Sequence, residues 1–330
     1  MPSSPPRRVT LEEVAKVAGV SRATASRVVN GVASVDATIR AAVQRAIADT
    51  GYVPNLAARS LVTRRADAVA LVLPGERRML GDPFFGRVVS GVMTITDPAG
   101  IHLVLAADRR AEVESDVRRG RLDGVILIHT DPEDPLPRLL VDGHFPVVLS
   151  SRPLRPLPIT YVDVNQSAGG ELAARHLVSL GRRRLATIAG PQHTSAGQDR
   201  LTGFREGVGD PSAAWEEGDF TRESGAAGMS ALLSRQPDLD GVFAASDLMA
   251  QGALAVLRAA GRRVPEDVAV VGFDDSSAAL TCEPPLTTVR QPVEDMAAEM
   301  ARLLLRQIAD PDTPRTKVVF EPVLIRRQSA

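Results

Sequence analysis

VTLEEVAKVAGVSRATASRVVNG, residues 9–31, is the stretch on which the reading of this chain turns. Thr10 and Glu13 form a T-x-x-E capping box, which opens a helix running to about Val17. Gly19-Val20 then turns the chain, and Ser21 is placed to cap a second helix that reaches about Asn30. Beyond the stretch, Asp36 caps a third helix from Ala37 to about Thr50, which Gly51 stops. Leu11, Val14, Ala15, Ala18, Val20, Ala25, Val28 and Ile39 can close a small core. Helix, tight glycine turn and helix is the arrangement that lays the outer face of its second helix in a DNA major groove. Arg22, Ala23, Thr24, Ser26 and Arg27 lie on or near that face, while Ala25, Val28 and Val29 can pack inward. An arginine can donate two parallel hydrogen bonds to guanine, and a methyl such as that of Ala23 suits thymine. The plainer reading is an ordinary three-helix subdomain with a solvated basic face.

Charge supports the first reading. Residues 1–65 carry ten Arg and Lys against four Asp and Glu, whereas the remainder carries twenty-nine against thirty-six, so a net charge of −1 hides a basic head on an acidic body. Such asymmetry suits a polyanionic partner for the head alone. Only Lys16 and Lys317 are lysine, a bias to which no functional weight attaches. At 330 residues, 44% hydrophobic and 24% charged, the chain is long enough for two or three globular domains. Its longest apolar runs, VALVL after Ala68 and VILI at Val125–Ile128, are too short to span a bilayer. The opening MPSSPPRRVT lacks the apolar core of a secretory signal, so a cytoplasmic location is expected. A single cysteine, Cys282, excludes a disulfide framework, and the five histidines are scattered with no HExxH or HxH. Neither a metal site nor a cofactor is expected.

From Ala68 the pattern changes to short apolar runs alternating with helical stretches. Strands are expected to begin near Val69, His102, Gly124, Val147, Leu185, Gly241 and Val268. Helices are expected over Phe84–Ile95, Ser167–Leu180, Asp199–Val208, Arg222–Leu233, Asp247–Ala260 and Val293–Ile308. This alternation implies an α/β body of two doubly wound parallel sheets, with a ligand cleft between the carboxyl ends of their strands.

These residues also carry a resemblance. VTLEEVAKVAGVS, SRVVNG and GYVPNLAARSL look like the DNA-binding head of the lac repressor family of bacterial transcription regulators. The likeness continues through DPFFGRVVSGV, RLDGVIL, DRLTGFREG, VFAASDLMAQGALAVL, VPEDVAVVGFDDS and PPLTTVRQP, from Val9 to about Arg326. It implies a helix-turn-helix head over residues 1–53, a hinge helix and linker over 54–65, and a body over 66–330 like a periplasmic binding protein. Lobe 1 of that body is placed at about 66–162 and 292–320, lobe 2 at about 163–291 and 321–330. The implied function is a homodimeric, cytoplasmic transcription factor, most simply a repressor, that reads a pseudo-palindromic operator and responds to a small effector between its lobes. The sequence closes on RRQSA without a leucine heptad tail, so a dimer rather than a tetramer is expected.

By the same resemblance Arg22 and Ala23 are the variable base-reading pair and Arg27 the more constant base contact, with Thr24, Ser26 and Asn30 on phosphates or supporting the helix. Residues 55–61 match the hinge helix, where Leu61 would wedge into the minor groove beside Ala58, with Asn55 at the start. In the body, Asp82 caps a helix and Phe84 and Phe85 stand at the mouth of the first strand-helix turn. Arg200 matches an arginine that bonds effector hydroxyls or carboxylates, and Asp274 matches an acid that accepts from them. Asp247 is either a helix cap or a ligand contact, Phe220 can stack on a ring, and Gln291 sits on an interlobe crossover. Two departures stand out: Ser151-Arg152 where many sugar-responsive members have an acid before the arginine, and Ser246 where an asparagine is frequent. Both shorten polar reach, which suggests an effector larger than, or different from, the common hexoses. A donor fork facing an acceptor pair suits vicinal hydroxyls, so a monosaccharide or small glycoside leads, with a purine or another small metabolite as the alternative.

Enzymatic readings find little support. GxxxxGK[ST], GxSxG and SxxK are all absent, and Asp274-Asp275 is more simply a turn pair than a general acid and base. The rivals are a two-lobed sugar-binding protein without a DNA role, which the basic head opposes, and an enzyme fused to a DNA-binding head.

Overall fold

In the computed structural model, which describes residues 9–29, 34–52, 65–74, 81–107, 109–128 and 131–330, the chain divides into two units, Met1–Ala66 and Asp67–Ala330. Of the anticipated DNA contacts, Asn30 and the hinge residues Asn55, Ala58 and Leu61 lie outside the described residues.

The first unit is built from α1 (Leu11–Ala18), α2 (Arg22–Val29) and α3 (Ala37–Thr50). Each start has its own cap. Thr10 Oγ1 accepts from Glu13 N while Glu13 Oε2 accepts from Thr10 N at 2.8 Å, Ser21 Oγ accepts from Thr24 N at 3.1 Å, and Asp36 Oδ1 accepts from Thr38 N at 2.8 Å. Gly19 and Gly51 end α1 and α3 at φ of 67° and 64°, where a side chain would be strained. Val14, Ala15, Ala25, Val28, Val43 and Ala46 form the small core. Ile39 is not part of it: it sits in the first turn of α3, one turn before Val43, and remains 37% exposed.

The second unit alternates strand and helix. Its first part runs β1 (Ala68–Leu73), α4 (Pro83–Thr96), β2 (His102–Ala107), α5 (Arg110–Arg118), β3 (Gly124–Leu127), α6 (Leu136–Asp142), β4 (Val147–Leu149) and β5 (Thr160–Val164). Then come α7 (Gln166–Ser179), β6 (Leu185–Ala189), α8 (Ser195–Val208), β7 (Ala214–Glu217), α9 (Arg222–Arg235), β8 (Gly241–Ala244), α10 (Asp247–Ala259), β9 (Ala269–Asp274), α11 (Ser277–Thr281) and β10 (Thr287–Arg290). The chain finishes with α12 (Val293–Ala309), β11 (Lys317–Phe320) and β12 (Val323–Ile325).

Two sheets result, in the orders β11-β5-β4-β3-β1-β2 and β12-β10-β9-β8-β6-β7. All pairings are parallel except β12 against β10, and the central strands are buried on both faces, which is why they read as unbroken apolar runs. The chain passes between sheets after β5, after β10 and between β11 and β12. The strand β5 carries the first sheet through Val164, so the first crossover comes two residues later than the sequence places it. TYVDV follows a proline-rich loop, and its short run hides the strand. Helix α8 also starts earlier than Asp199, because Thr194 supplies its cap to Gly197 N at 3.1 Å. The strands β5, β7, β10, β11 and β12 and the helices α5, α6 and α11 have no counterpart in the sequence reading.

Glycine decides how α7 meets α8. A Cβ added at Gly203 would lie 1.8 Å from the Ser167 carbonyl oxygen, and one at Gly170 would lie 2.2 Å from that of Arg200. The two backbones therefore touch, and Arg200 is held beside Gln166. Gly203→Ala is expected to force the helices apart and to lower stability by about 1–3 kcal/mol. Chemical denaturation would show it, and an unchanged midpoint would mean that the helices separate freely.

Candidate functional site

Arg200 is the centre of the second unit's polar cleft. It lies on α8, is 4% exposed, and has hydrogen-bond partners on two of its three guanidinium nitrogens. Nε donates to Gln166 Oε1 at 2.7 Å and Nη1 to the Ala245 carbonyl at 2.6 Å, while Asp274 Oδ1 stands 3.7 Å from Nη1. Beneath it, the Phe273 ring lies 3.6 Å from the guanidinium carbon, a cation–π contact made in a dry setting. Nη2 makes no hydrogen bond among the described residues and is the donor left for a ligand.

Asp274 ends β9 with φ of 106°, and Phe220 sits at φ of 65°, so two cleft residues hold backbone conformations that side chains rarely adopt. Neighbours hold Asp274 there. Gln291 Nε2 donates to its Oδ1, and Arg87 Nη1 on α4 donates to its carbonyl at 3.0 Å while gripping Glu294 with Nε and Nη2, both at 2.7 Å. Burial pushes the Asp274 carboxyl up to about 8 against the pull of Arg200, and burial also raises Asp82 and Asp163. The same burial lowers Arg200, which nevertheless stays the cation of the site.

A native pKa above the unfolded one means that folded Asp274 holds a proton the unfolded chain has lost. Its contribution to stability is complete below the unfolded value near 4 and is lost as pH rises through about 8, at up to roughly 1.4 kcal/mol per pH unit. The ligand-free protein should therefore melt lower at pH 8.5 than at pH 6, and Asp274→Asn should flatten the profile. An Asp274→Asn profile that falls as steeply as that of wild type would show that Asp274 does not carry this dependence.

The cleft has two chambers. The inner one, about 660 Å³ with open solvent included, is lined by Asp82, Phe84, Ser150, Ser151, Gln166, Arg200, Phe220, Asp274 and Gln291, with Val88, Ala196, Val293, Met296 and Met300 as its apolar wall. The outer one, about 1150 Å³ with open solvent included, is walled by residues 131–138 and 151–157 and by Thr194, Ser195, Ala196 and Phe220. Ser151, Ala196 and Phe220 belong to both.

Of the anticipated effector residues, Phe84, Ser151, Arg200, Phe220, Asp274 and Gln291 thus come together in the inner chamber. Three do not. Phe85 is 3% exposed in the core under α4, its ring edge-on to Phe84 at 5.3 Å. Ser246, not Asp247, caps α10, accepting from Met249 N at 3.2 Å and donating to the Phe220 carbonyl. Asp247 points into the second lobe, where Ser276 N at 2.7 Å and Thr288 Oγ1 at 2.6 Å donate to it, and it lines neither chamber. A serine one residue earlier reaches the third amide of the helix and leaves the aspartate for this internal tie. The sequence reading missed Gln166, which could have been found as the first helical residue after a strand, and the wall at 131–138, which has no local signature.

In the first unit, Arg22, Ala23 and Arg27 are exposed on one side of α2, with Thr24 and Ser26 half-buried beside them. Arg22 Nε rests 2.6 Å from Glu12 Oε1, and the Ser21 and Thr24 hydroxyls bond at 2.9 Å. Among the described residues no cluster of three or more His, Cys, Asp or Glu could hold a metal ion, and no helix is long and apolar enough to cross a membrane.

Comparison with known proteins follows the same division. Residues 10–55 match the model for bacterial regulatory proteins of the lacI family, and residues 174–330 match a periplasmic binding protein-like domain. The chain is 48% identical to the HTH-type transcriptional regulator CelR of Thermobifida fusca over 98% of both chains. A solved transcriptional regulator CelR–cellobiose complex is 45% identical, with a TM-score of 0.78 over 98% of this chain and 100% of that one. The lac repressor dimer bound to operator and the anti-inducer ONPF is 26% identical, with a TM-score of 0.84 over 98% and 99%.

Proposed function

This chain belongs to the lacI family of bacterial regulatory proteins, and from that premise we propose that it is a cytoplasmic repressor whose hold on a pseudo-palindromic operator is set by a glucose disaccharide such as cellobiose in the cleft. The observation that carries the effector class is the facing of Arg200 and Asp274 at the end of the inner chamber. A donor fork and a protonatable acceptor suit two neighbouring hydroxyls, each of which both gives and takes a hydrogen bond. Phe84 and Phe220 offer apolar faces to the ring that bears them.

Two heads in a homodimer would match the two halves of the operator. The exposed side of α2 supports base reading, with Arg22, Ala23 and Arg27 toward the groove and Thr24, Ser26 and Asn30 toward phosphates or the helix frame. Residues 54–65, with Asn55, Ala58 and Leu61, would form the hinge between the DNA-binding head of residues 1–53 and the body. The cleft is lined from both sheets, so a ligand there can favour one angle between lobes over another. Ligand and operator affinities are then coupled reciprocally, by about 1–3 kcal/mol.

The test begins by selecting bound sequences from random duplex DNA, then titrates cellobiose into the selected complex and follows operator binding by fluorescence anisotropy. A two-fold symmetric site and a change in affinity of roughly 5- to 150-fold are expected. No selected sequence would overturn the DNA-reading assignment. An operator complex indifferent to cellobiose and to a panel of mono- and disaccharides would overturn the sugar.

A further inference from the structure

Asp274 faces two ways. Its carboxyl lines the inner chamber beside Arg200, while its carbonyl accepts from Arg87 Nη1 at 3.0 Å. Arg87 lies on α4 of the first lobe and lines neither chamber, so it is no part of the surface a ligand meets. The bond therefore ties the end of β9, in the second lobe, to a helix of the first.

The guanidinium is aimed from its own lobe. Nε and Nη2 donate in parallel to Glu294 Oε1 and Oε2, both at 2.7 Å, a two-pronged arrangement that fixes the plane of the fork. The same hydrogen bonds hold the Glu294 carboxyl below its ordinary range, so the acceptor stays charged. Glu294 stands in the first turn of α12, where the two helices meet at their backbones. A Cβ added at Gly91, one turn beyond Arg87, would lie 2.4 Å from the Glu294 carbonyl oxygen and 2.7 Å from the Ala297 Cβ. Helices α4 and α12 thus form one stiff frame, and Nη1 is the prong it presents to the second lobe. On the far side, Asp275 at φ of 52° is anchored within the second lobe, accepting from Arg290 Nε at 2.6 Å and from Arg327 Nη2. Ser276 N likewise donates to Asp247 at 2.7 Å. Two successive non-glycine residues at positive φ are strained and need support from their surroundings. For Asp275 that support comes from its own lobe, whereas the Asp274 carbonyl takes its support from the other.

We infer that Arg87, aimed by Glu294, is the positioning residue of the effector's acceptor, and that Asp274 is set for a ligand only while the α4–α12 frame stands against it. The inference rests on the reading of the cleft as the effector site and adds a residue that acts on the ligand through Asp274 alone. At a lobe angle that withdraws α4, Nη1 leaves the carbonyl, the strained turn relaxes, and the carboxyl loses its orientation toward Arg200. A ligand that engages the carboxyl in turn favours the angle at which the bond forms, because both contacts belong to one residue.

The experiment pairs two measurements on the full-length protein, repeated on Arg87→Ala, Arg87→Lys, Glu294→Ala and the double alanine variant, with melting curves to check folding. Without ligand, amide exchange at residues 275–278 is expected to rise by about 10-fold or more in Arg87→Ala, while α4 and α12 keep their protection. Calorimetric titration with cellobiose should show binding weakened by about 10- to 100-fold, the range for one charged hydrogen bond. Arg87→Lys, which cannot fork onto Glu294 and reach the carbonyl at once, should resemble the alanine variant. Glu294→Ala frees the fork and should weaken binding by itself, yet add nothing once Arg87 is gone. It gives the same reading should Arg87→Ala fail to fold. An arginine that only stabilises the first lobe would lower the melting point and move neither the turn nor the ligand. Unchanged exchange at the turn, or wild-type cellobiose affinity in a folded variant, overturns the role of Arg87 and leaves a sugar effector standing. If wild type binds no cellobiose, that choice of effector fails, and the exchange result alone decides for or against Arg87.

Discussion

Arg200→Ala is expected to abolish the response to effector while the protein still selects its operator. The side chain is almost fully buried, and its loss would strand the Gln166 carbonyl, the Ala245 carbonyl and the Asp274 carboxyl at the end of the inner chamber. Removing one member of a buried, hydrogen-bonded charge arrangement costs about 3–5 kcal/mol of stability. Part of that will be relieved as Asp274 keeps its proton, the state that burial already favours. Loss of the Nη2 donor should weaken ligand binding by about 10- to 150-fold, the equivalent of one charge-assisted hydrogen bond. Arg200→Lys separates charge from geometry, since one ammonium cannot reproduce the fork that holds Gln166 and Ala245 at once. The measurement is operator anisotropy with and without cellobiose, beside circular dichroism melts. A folded Arg200→Ala with wild-type sensitivity would place the effector elsewhere.

What the sequence revealed of this site, and what it concealed, has a physical pattern. The caps of the head were readable because each is a contact between residues two or three apart: Thr10 with Glu13, Ser21 with Thr24, Asp36 with Thr38. The buried central strands were readable as unbroken apolar runs, whereas β5, β7 and the strands after β9 were not, being short, interrupted by polar residues, or placed at or near an edge of their sheet. Arg200, Asp274 and Gln291 came from family likeness and not from spacing, since they lie on α8, at the end of β9 and in the loop after β10, and meet only after the sheet is built. Asp247 shows the limit of that likeness. A matching position carries over an aspartate but not its neighbours, and Ser246 and Thr288 decide that its carboxylate faces inward. The bond from Arg87 to Asp274, 187 residues apart across two lobes, had no local signal at all.

The head offers the second large effect. Arg22→Ala should relax the base preference in each half-site at a cost of about 1–3 kcal/mol per contact, so roughly 2–6 kcal/mol for a dimer reading both halves. To read bases, as proposed, the arginine would have to give up one contact. Its Nε lies 2.6 Å from Glu12, with side chains 71% and 59% exposed. A pair so open to water is worth about 0–1 kcal/mol, less than a two-pronged bond to guanine, so DNA can take the guanidinium from Glu12. Glu12→Ala should then tighten binding slightly to all sequences, by removing the acid that pairs with Arg22, without altering which bases are chosen. Arg22→Ala should do the reverse, changing the choice more than the general affinity. Selection from random duplexes with each variant, at several salt concentrations, separates the two because phosphate contacts steepen the salt dependence and base contacts do not. If Arg22→Ala recovers the wild-type half-site and only shifts the salt slope, Arg22 is a phosphate contact. The reading face of α2 would then have to be sought around Ala23 and Arg27.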